Sequence, residues 1–246
     1  MAKISLSFGR WVPVLRKVGS ARSNEVAITI DDAPTPEATP GLLSLLSRHK
    51  MLATFFVSGF RAERAPGLVQ SIIQEGHAVY AHGWEHIRLD RQPSARLIDD
   101  MTRAERLLAG FRPTPTPYLV RLPYNGGYRN AKVHQALASW MPGCQIAHWG
   151  LSTKDHMIAS NCVDERAVAE AARIHVGQLL DRPNLPRAII LMHDQPVGDL
   201  PDGGLKSFAT LEVMRSLAEG LAARNLTSIA LKPEATPSIL SRFLLV

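Results

Sequence analysis

Val26-Ala27-Ile28-Thr29-Ile30 runs directly into Asp31-Asp32-Ala33-Pro34. The first five residues, apolar except for one threonine and rich in β-branched side chains, have the length and composition of a strand. The run does not alternate in polarity, so it reads as a strand buried on both faces, the habit of parallel sheets. At its end stand two adjacent carboxylates. Like charges this close raise the pKa of one partner unless a cation holds it. The pair therefore calls for further ligands downstream, unless the two aspartates only cap the next segment.

Six more runs of strand length follow, at 53–57, 77–80, 118–121, 145–149, 188–192 and 227–231. Helical patterns fill the gaps at 38–49, 65–75, 94–109, 129–139, 164–180 and 207–223. Gly76 reads as the residue just past a helix end and Ser94 as an N-cap. Strands alternating with helices predict right-handed crossovers and a parallel sheet or barrel. The expectation is an α/β fold, a distorted (β/α) barrel of about seven parallel strands. No repeat, low-complexity tract or linker divides residues 1–246, so one domain is expected. The longest irregular stretches, 150–163 and 194–206, both follow strands and would lie at the C-terminal mouth.

Composition narrows the function classes. Of 246 residues, 46% are hydrophobic and 20% charged, which suits a globular chain with a sizeable core. The net charge of +6 is mild and its basic residues are scattered, so a nucleic-acid partner is not expected. It leaves room for an anionic glycan or phosphorylated sugar. Cys144 and Cys162 make no disulfide framework and read as free thiols. No stretch approaches the ~18 apolar residues of a membrane span. Gly9 and Pro13 interrupt any apolar run near the start, so no signal peptide is read and a cytoplasmic protein is expected. An exported protein is the alternative, should a leader precede the residues given.

The polar residues with chemical potential gather at one end of the strands. Asp31 and Asp32 close the first, His82 and His86 follow the third, and Arg121 closes the fourth. Trp149 and Asp155 follow the fifth, and His193 and Asp194 the sixth. In parallel barrels these ends converge on one site. His82-Gly83-Trp84-Glu85-His86 places two imidazoles four apart, which on a helical turn would share a face. Gly83 stands where a zinc protease of the His-Glu-x-x-His type needs its glutamate, which excludes that class. One carboxylate with two histidines leaves a coordination position open, the pattern of a catalytic rather than a structural metal.

These motifs resemble those of the NodB-homology polysaccharide deacetylases, carbohydrate esterase family four. Thr29-Ile30-Asp31-Asp32-Ala33 is similar to the family's Thr-Phe-Asp-Asp-Gly, and His82 to His86 to its His-Ser/Thr-x-x-His. Arg121-Leu122-Pro123-Tyr124 matches Arg-x-Pro-Tyr, Trp149 to His156 partly matches the fourth motif, and Leu191-Met192-His193 matches Leu-x-His. The resemblance spans residues 26 to about 231, with the motifs in order. It implies a divalent metal, usually zinc, on Asp32, His82 and His86. It implies Asp31 as general base, Arg121 as its tuning partner and His193 as general acid held charged by Asp155. It also implies the Tyr124 N–H as an oxyanion donor, with Pro123 and Trp149 beside the substrate. The implied activity is removal of an N-acyl group, acetyl in the first place, from an N-acylated amino sugar. Other readings are a catalytically silent sugar-binding or scaffold protein on the same barrel, and a hydrolase of a non-sugar amide. Trp149 reads equally as core and as substrate platform. His49, His77, His134 and His175 read as structural, and His148 and His156 as surface or supporting groups. Four positions depart from the family pattern: Ala33 for Gly, Gly83 for Ser or Thr, Ser152 for Asp and His156 for Trp. They spare the metal, base and acid positions and point to a nonstandard substrate. Ala33 further implies a turn that avoids positive φ.

Overall fold

The computed structural model describes residues 11–19, 23–194 and 204–234. All seven expected strands are present: β2 (Glu25–Ala33), β3 (Ala53–Val57), β4 (Ala78–Ala81), β5 (Leu119–Val120), β6 (Gln145–Ala147), β8 (Ile189–His193) and β9 (Thr227–Ser228). Two short ones join them, β1 (Val14–Leu15) and β7 (Leu151–Ser152). Every strand pairing is parallel. One sheet runs β4-β3-β2-β8-β7, with β9 also paired to β2, and the other runs β1-β6-β5. Central β2 is sealed on both faces, with Val26, Ala27, Ile28, Thr29 and Ile30 all inaccessible to solvent.

The two sheets form a distorted barrel because no backbone ladder joins β4 to β5. Side chains bridge that seam instead. The Ala81 N–H donates to the Tyr118 hydroxyl at 2.8 Å, and that hydroxyl donates to Glu105 Oε2 at 2.6 Å. Glu105 also receives both Arg112 guanidinium nitrogens, at 2.7 and 2.9 Å, so the buried carboxylate is fully compensated.

The helices are α1 (Thr39–Arg48), α2 (Gly59–Arg64), α3 (Pro66–Gln74), α4 (Ser94–Leu108), α5 (Ala131–Trp140), α6 (Asp155–Ile158), α7 (Glu165–Leu180) and α8 (Leu205–Ala223). Helix α1 buries Leu42, Leu43, Leu45 and Leu46, each such leucine contributing about 1.5–3 kcal/mol. Helix α4 turns Leu97, Met101, Ala104 and Leu108 inward at helical spacing, and the same face carries the polar pair Asp100 and Glu105. Gly76 takes φ +86° just past α3, as the sequence predicts. Ser94 is not a cap: it is the first helical residue, and Pro93 occupies the N-cap position without a side-chain hydrogen bond. The stretch 150–163 is less irregular than its composition implies, since it contains β7 and α6. Most of the second irregular stretch, 195–203, lies outside the described residues.

Candidate active site

Two adjacent residues of a regular strand point to opposite faces. Asp31 and Asp32 nevertheless both line one cleft. The register explains it. Asp31 pairs with Phe56 and the next pair is Ala33 with Val57, so Asp32 is the extra residue of a bulge. Asp32 takes φ +69°, a left-handed conformation that aspartate tolerates better than most residues. The Arg61 guanidinium donates to its carbonyl at 2.6 Å, which holds the kink. The positive φ thus falls on Asp32, whereas Ala33 stays in the strand, so alanine there needs no special turn.

His82 and His86 do not lie on a helical turn. They sit in an irregular loop that ends β4, with Gly83 at φ +78° and His86 at φ +52°. The loop is held by its neighbours. The His82 N–H donates to the Val57 carbonyl at 2.8 Å and the Gly59 N–H to the Gly83 carbonyl at 2.9 Å. Asp100 Oδ1 accepts from the Trp84 N–H at 2.6 Å. A Cβ on residue 83 would meet that same Asp100 oxygen at 2.9 Å, so glycine fits the tight approach.

The imidazoles meet Asp32. Its Oδ1 lies 2.9 Å from His86 Nε2 and 3.5 Å from His82 Nε2. That oxygen is buried, yet no hydrogen bond of good alignment reaches it. The His82 Nδ1–H donates to the Arg121 carbonyl at 2.8 Å, which leaves the Nε2 lone pair facing Asp32. Burial depresses the His82 pKa against the pull of Asp31 and Asp32, favouring the neutral ring that a ligand needs. Burial opposes ionisation of Asp32, but His86, His82 and His193 hold it well below the usual carboxylate range. One carboxylate oxygen and two imidazole nitrogens converging on an unsatisfied point fit a divalent metal of intermediate softness.

Asp31 is held differently. Its Oδ1 accepts from Arg121 Nη1 at 2.7 Å, and Oδ2 lies 3.8 Å from His82 Nε2. Arg121 is fully buried, clamped by the Thr29 hydroxyl at 2.8 Å and the Ala147 carbonyl at 3.0 Å. Its guanidinium lies 4.3 Å from the Phe56 ring centre and 5.3 Å from that of Trp149. Burial lowers the Arg121 pKa and Asp31 counters it, as expected of a paired buried charge.

Across β2 from Asp31, in register, stands His193. Its Nδ1–H donates to Asp155 Oδ1 at 3.0 Å and its backbone N–H donates to Oδ2 at 2.8 Å. The Thr153 hydroxyl adds a third bond to that carboxylate at 2.9 Å. Burial alone would depress His193, but Asp155 overrides it, Asp32 and Asp31 add to it, and the pKa is pushed up to about 9. Asp155, His156 and His193 also place ligand-type atoms within 4.8 Å of one another. The Asp155 oxygens are already committed to three hydrogen bonds, so this second cluster reads as a charged acid pair with His156 beside it.

The cleft measures 530 Å³. Asp31, Asp32, His82, His86 and His193 lie along it, and Tyr124, Trp149, Met157 and Leu191 form its apolar walls. Tyr124 is 55% exposed and its ring centre lies 4.7 Å from that of His86. Pro123 is buried and does not reach the cleft surface. Trp149 is half-buried, and its ring lies over Arg121 and lines the cleft. Of the four departures, Ser152 and His156 do line the cleft.

Comparison with known proteins follows the same motifs. Residues 19–140 match the polysaccharide deacetylase family. The chain is 31% identical over 172 residues to a chitooligosaccharide deacetylase of Bradyrhizobium, covering 70% of this chain and 71% of that protein. The chain belongs to the polysaccharide deacetylase family. It is also 31% identical over 182 residues to a peptidoglycan-N-acetylglucosamine deacetylase of Listeria monocytogenes, covering 72% of this chain but only 34% of that longer protein. A peptidoglycan N-acetylglucosamine deacetylase structure in complex with a hydroxamate-type benzamide superposes with a TM-score of 0.69 at 24% identity, over 87% of this chain and 88% of that one. A family-four pseudoenzyme from Bacillus anthracis shares the fold, with a TM-score of 0.66 at 18% identity over 85% of this chain and 64% of that one.

Asp31, Asp32, His82, His86, Tyr124, Trp149 and His193 line this deacetylase-family cleft, Arg121 and Asp155 bond to Asp31 and His193 from behind it, Pro123 is buried, and the buried Asp194 accepts from the Thr39 hydroxyl instead. Sequence reasoning missed Thr29, Phe56, Asp100 and Thr153, which hold the others. Thr29 was visible as the one polar residue in an apolar run. Asp100 was visible as an acid on the apolar stripe of α4. His77, His134 and His148 are buried supports: the first two accept backbone N–H bonds from Ala53 and Val12, and His148 accepts from the Trp149 N–H.

Proposed function

We propose that this chain is a metal-dependent N-deacylase that removes an acyl group, acetyl in the first place, from an N-acylated amino sugar. The carrying observation is the division of Asp31 from Asp32. One faces two imidazoles while the other is turned onto Arg121, and a protonated histidine stands opposite.

Asp32, His82 and His86 would hold the ion, zinc being the metal this donor set favours. When bound, the ion would supply Lewis-acid polarisation of the acyl oxygen and acidify water. Asp31 accepts a proton from the attacking water, and its hydrogen bond from the Arg121 guanidinium fixes the carboxylate in place for that task. The Tyr124 N–H serves as a donor to the oxyanion. An amine leaves poorly unless protonated, and His193 supplies that proton from Nε2 while Asp155 fixes Nδ1 as donor. The exposed Tyr124 ring and the half-buried Trp149 ring offer flat apolar faces to a sugar. Relatives named as deacetylases of chitooligosaccharide and of peptidoglycan N-acetylglucosamine support the substrate class. The presence of both a base and an acid favours turnover over the silent reading.

The test is metal analysis together with acetate and formate release from a panel of N-acyl amino sugars. Asp31→Asn is expected to keep the metal and lose turnover, and His82→Ala to lose both. Full activity in Asp31→Asn would refute the base assignment. No bound metal and no acid released from any substrate would establish the silent reading.

A further inference from the structure

We propose that the cleft continues into an anion-binding subsite made by Lys154, Arg182 and His175, so that the accepted glycan carries a negative charge beside its N-acylated sugar. This rests on the deacylase reading and names the substrate class for it.

A recess of 340 Å³ adjoins the cleft, and Ser152 and Lys154 line both. Lys154, Arg182 and His175 face it together with the amides of Gln178 and Asn184, and no carboxylate lines it. Lys154 is placed rather than loose at its backbone. It takes φ +50° at the start of α6, and its N–H donates to the Ser152 hydroxyl at 3.2 Å. The fold spends its nearby acids elsewhere. Asp155 is buried under His193. Asp181, next to Arg182, is taken by Arg224 at 2.8 Å. Arg173 and Arg215 pair within their own helices. Among the described residues, Lys154 and Arg182 have no ion-pair partner. His175 Nε2 is buried without one.

One effect opposes the reading. The recess flanks the end of α7, whose carbonyls carry about half a negative charge. Two full cations and two amides outweigh that. An anion bound there gains charge-assisted hydrogen bonds, which are stronger than neutral ones. The site lies on the side of the cleft where Ser152 and His156 depart from the family pattern, so the altered wall and the basic recess form one surface.

The probes are N-acetylchitotetraose, the same tetramer with a C6 carboxylate on one sugar, and the tetramer with a 6-phosphate. Acetate release by the metal-loaded full chain gives kcat/KM for each, and calorimetry on Asp31→Asn gives binding without turnover. The anionic tetramers are expected to exceed the neutral one by about tenfold in kcat/KM and in affinity, equivalent to about 1.4 kcal/mol. The two anionic arms identify carboxylate or phosphate as the source. The preference is expected to shrink between about 50 and about 300 mM KCl, because exposed charges are screened. It should collapse in Lys154→Gln with Arg182→Gln and reverse in Arg182→Glu, a single exposed substitution that spares the core. Acetate release at equal kcat/KM from all three tetramers overturns the subsite and leaves the deacylase reading intact. No acetate from any of them, with Arg182-dependent binding of the anionic tetramers, overturns the deacylase reading and keeps the subsite. Neither release nor binding overturns both.

Discussion

Replacing Asp155 by asparagine separates a protonated acid from a merely well-packed histidine. Asp155 is what lifts His193 to about 9 against the effect of burial. Without its charge, burial opposes only the weaker pull of Asp32 and Asp31, and His193 falls toward its ordinary value near 6.5. A drop of about 2.5 units corresponds to about 3.4 kcal/mol between the two protonation states. The acid works only while protonated, so activity is lost as pH rises through its pKa. At pH about 8 the protonated fraction falls from about nine-tenths to about three-hundredths, a loss of about 30-fold. Below pH about 6 both proteins hold His193 protonated, and the deficit should nearly vanish. The assay is a pH profile of kcat/KM for acetate release. The basic limb should move from near 9 to below 7. An unchanged limb, or an equal loss at every pH, would refute the reasoning, since a structural defect has no reason to follow this titration. Linkage gives a second readout of the same sign: because the folded pKa is raised, the pair's stabilisation is fully present below pH 6.5 and is lost as pH rises through about 9.

Three further outcomes are expected. Tyr118→Phe removes the hydroxyl between the Ala81 N–H and Glu105, and should cost about 1–3 kcal/mol in denaturant unfolding while leaving metal content intact. Gly83→Ala sets a Cβ against Asp100 at a positive φ, and should cost about 1–2 kcal/mol and weaken metal retention in chelator competition. His77 is depressed to about 4 by burial, so stability should fall by up to about 3 kcal/mol as pH drops from 6.5 to 4. His77→Gln should flatten that slope in pH-dependent unfolding, and an unchanged slope would assign acid sensitivity elsewhere.

The barrel was legible because its strands carry uninterrupted apolar runs, a signal that survives without tertiary context. β1 and β7 were not legible, since two-residue strands leave no periodicity to read. The site's residues could be found because strand ends converge, whichever side chains occupy them. Their geometry could not. His-x-x-x-His suits a helix by spacing alone, and only the contacts from Val57, Gly59 and Asp100 bend it into a loop. Ala33 implies a turn without positive φ, and residue 33 does stay in the strand; the positive φ falls one residue earlier, on Asp32, because the bulge is set by pairing with β3, a long-range fact. Ser94 reads as a cap by its residue type, but it is the first helical residue and Pro93 holds the N-cap position.

Arg121 serves the cleft twice, by side chain to Asp31 and by main-chain carbonyl to His82. Mutation can alter only the first of these. Drift at this position would misalign the base yet leave the His82 tautomer in place. On the deacylase reading, a loss of turnover by this route would leave the Asp32, His82 and His86 donor set in place.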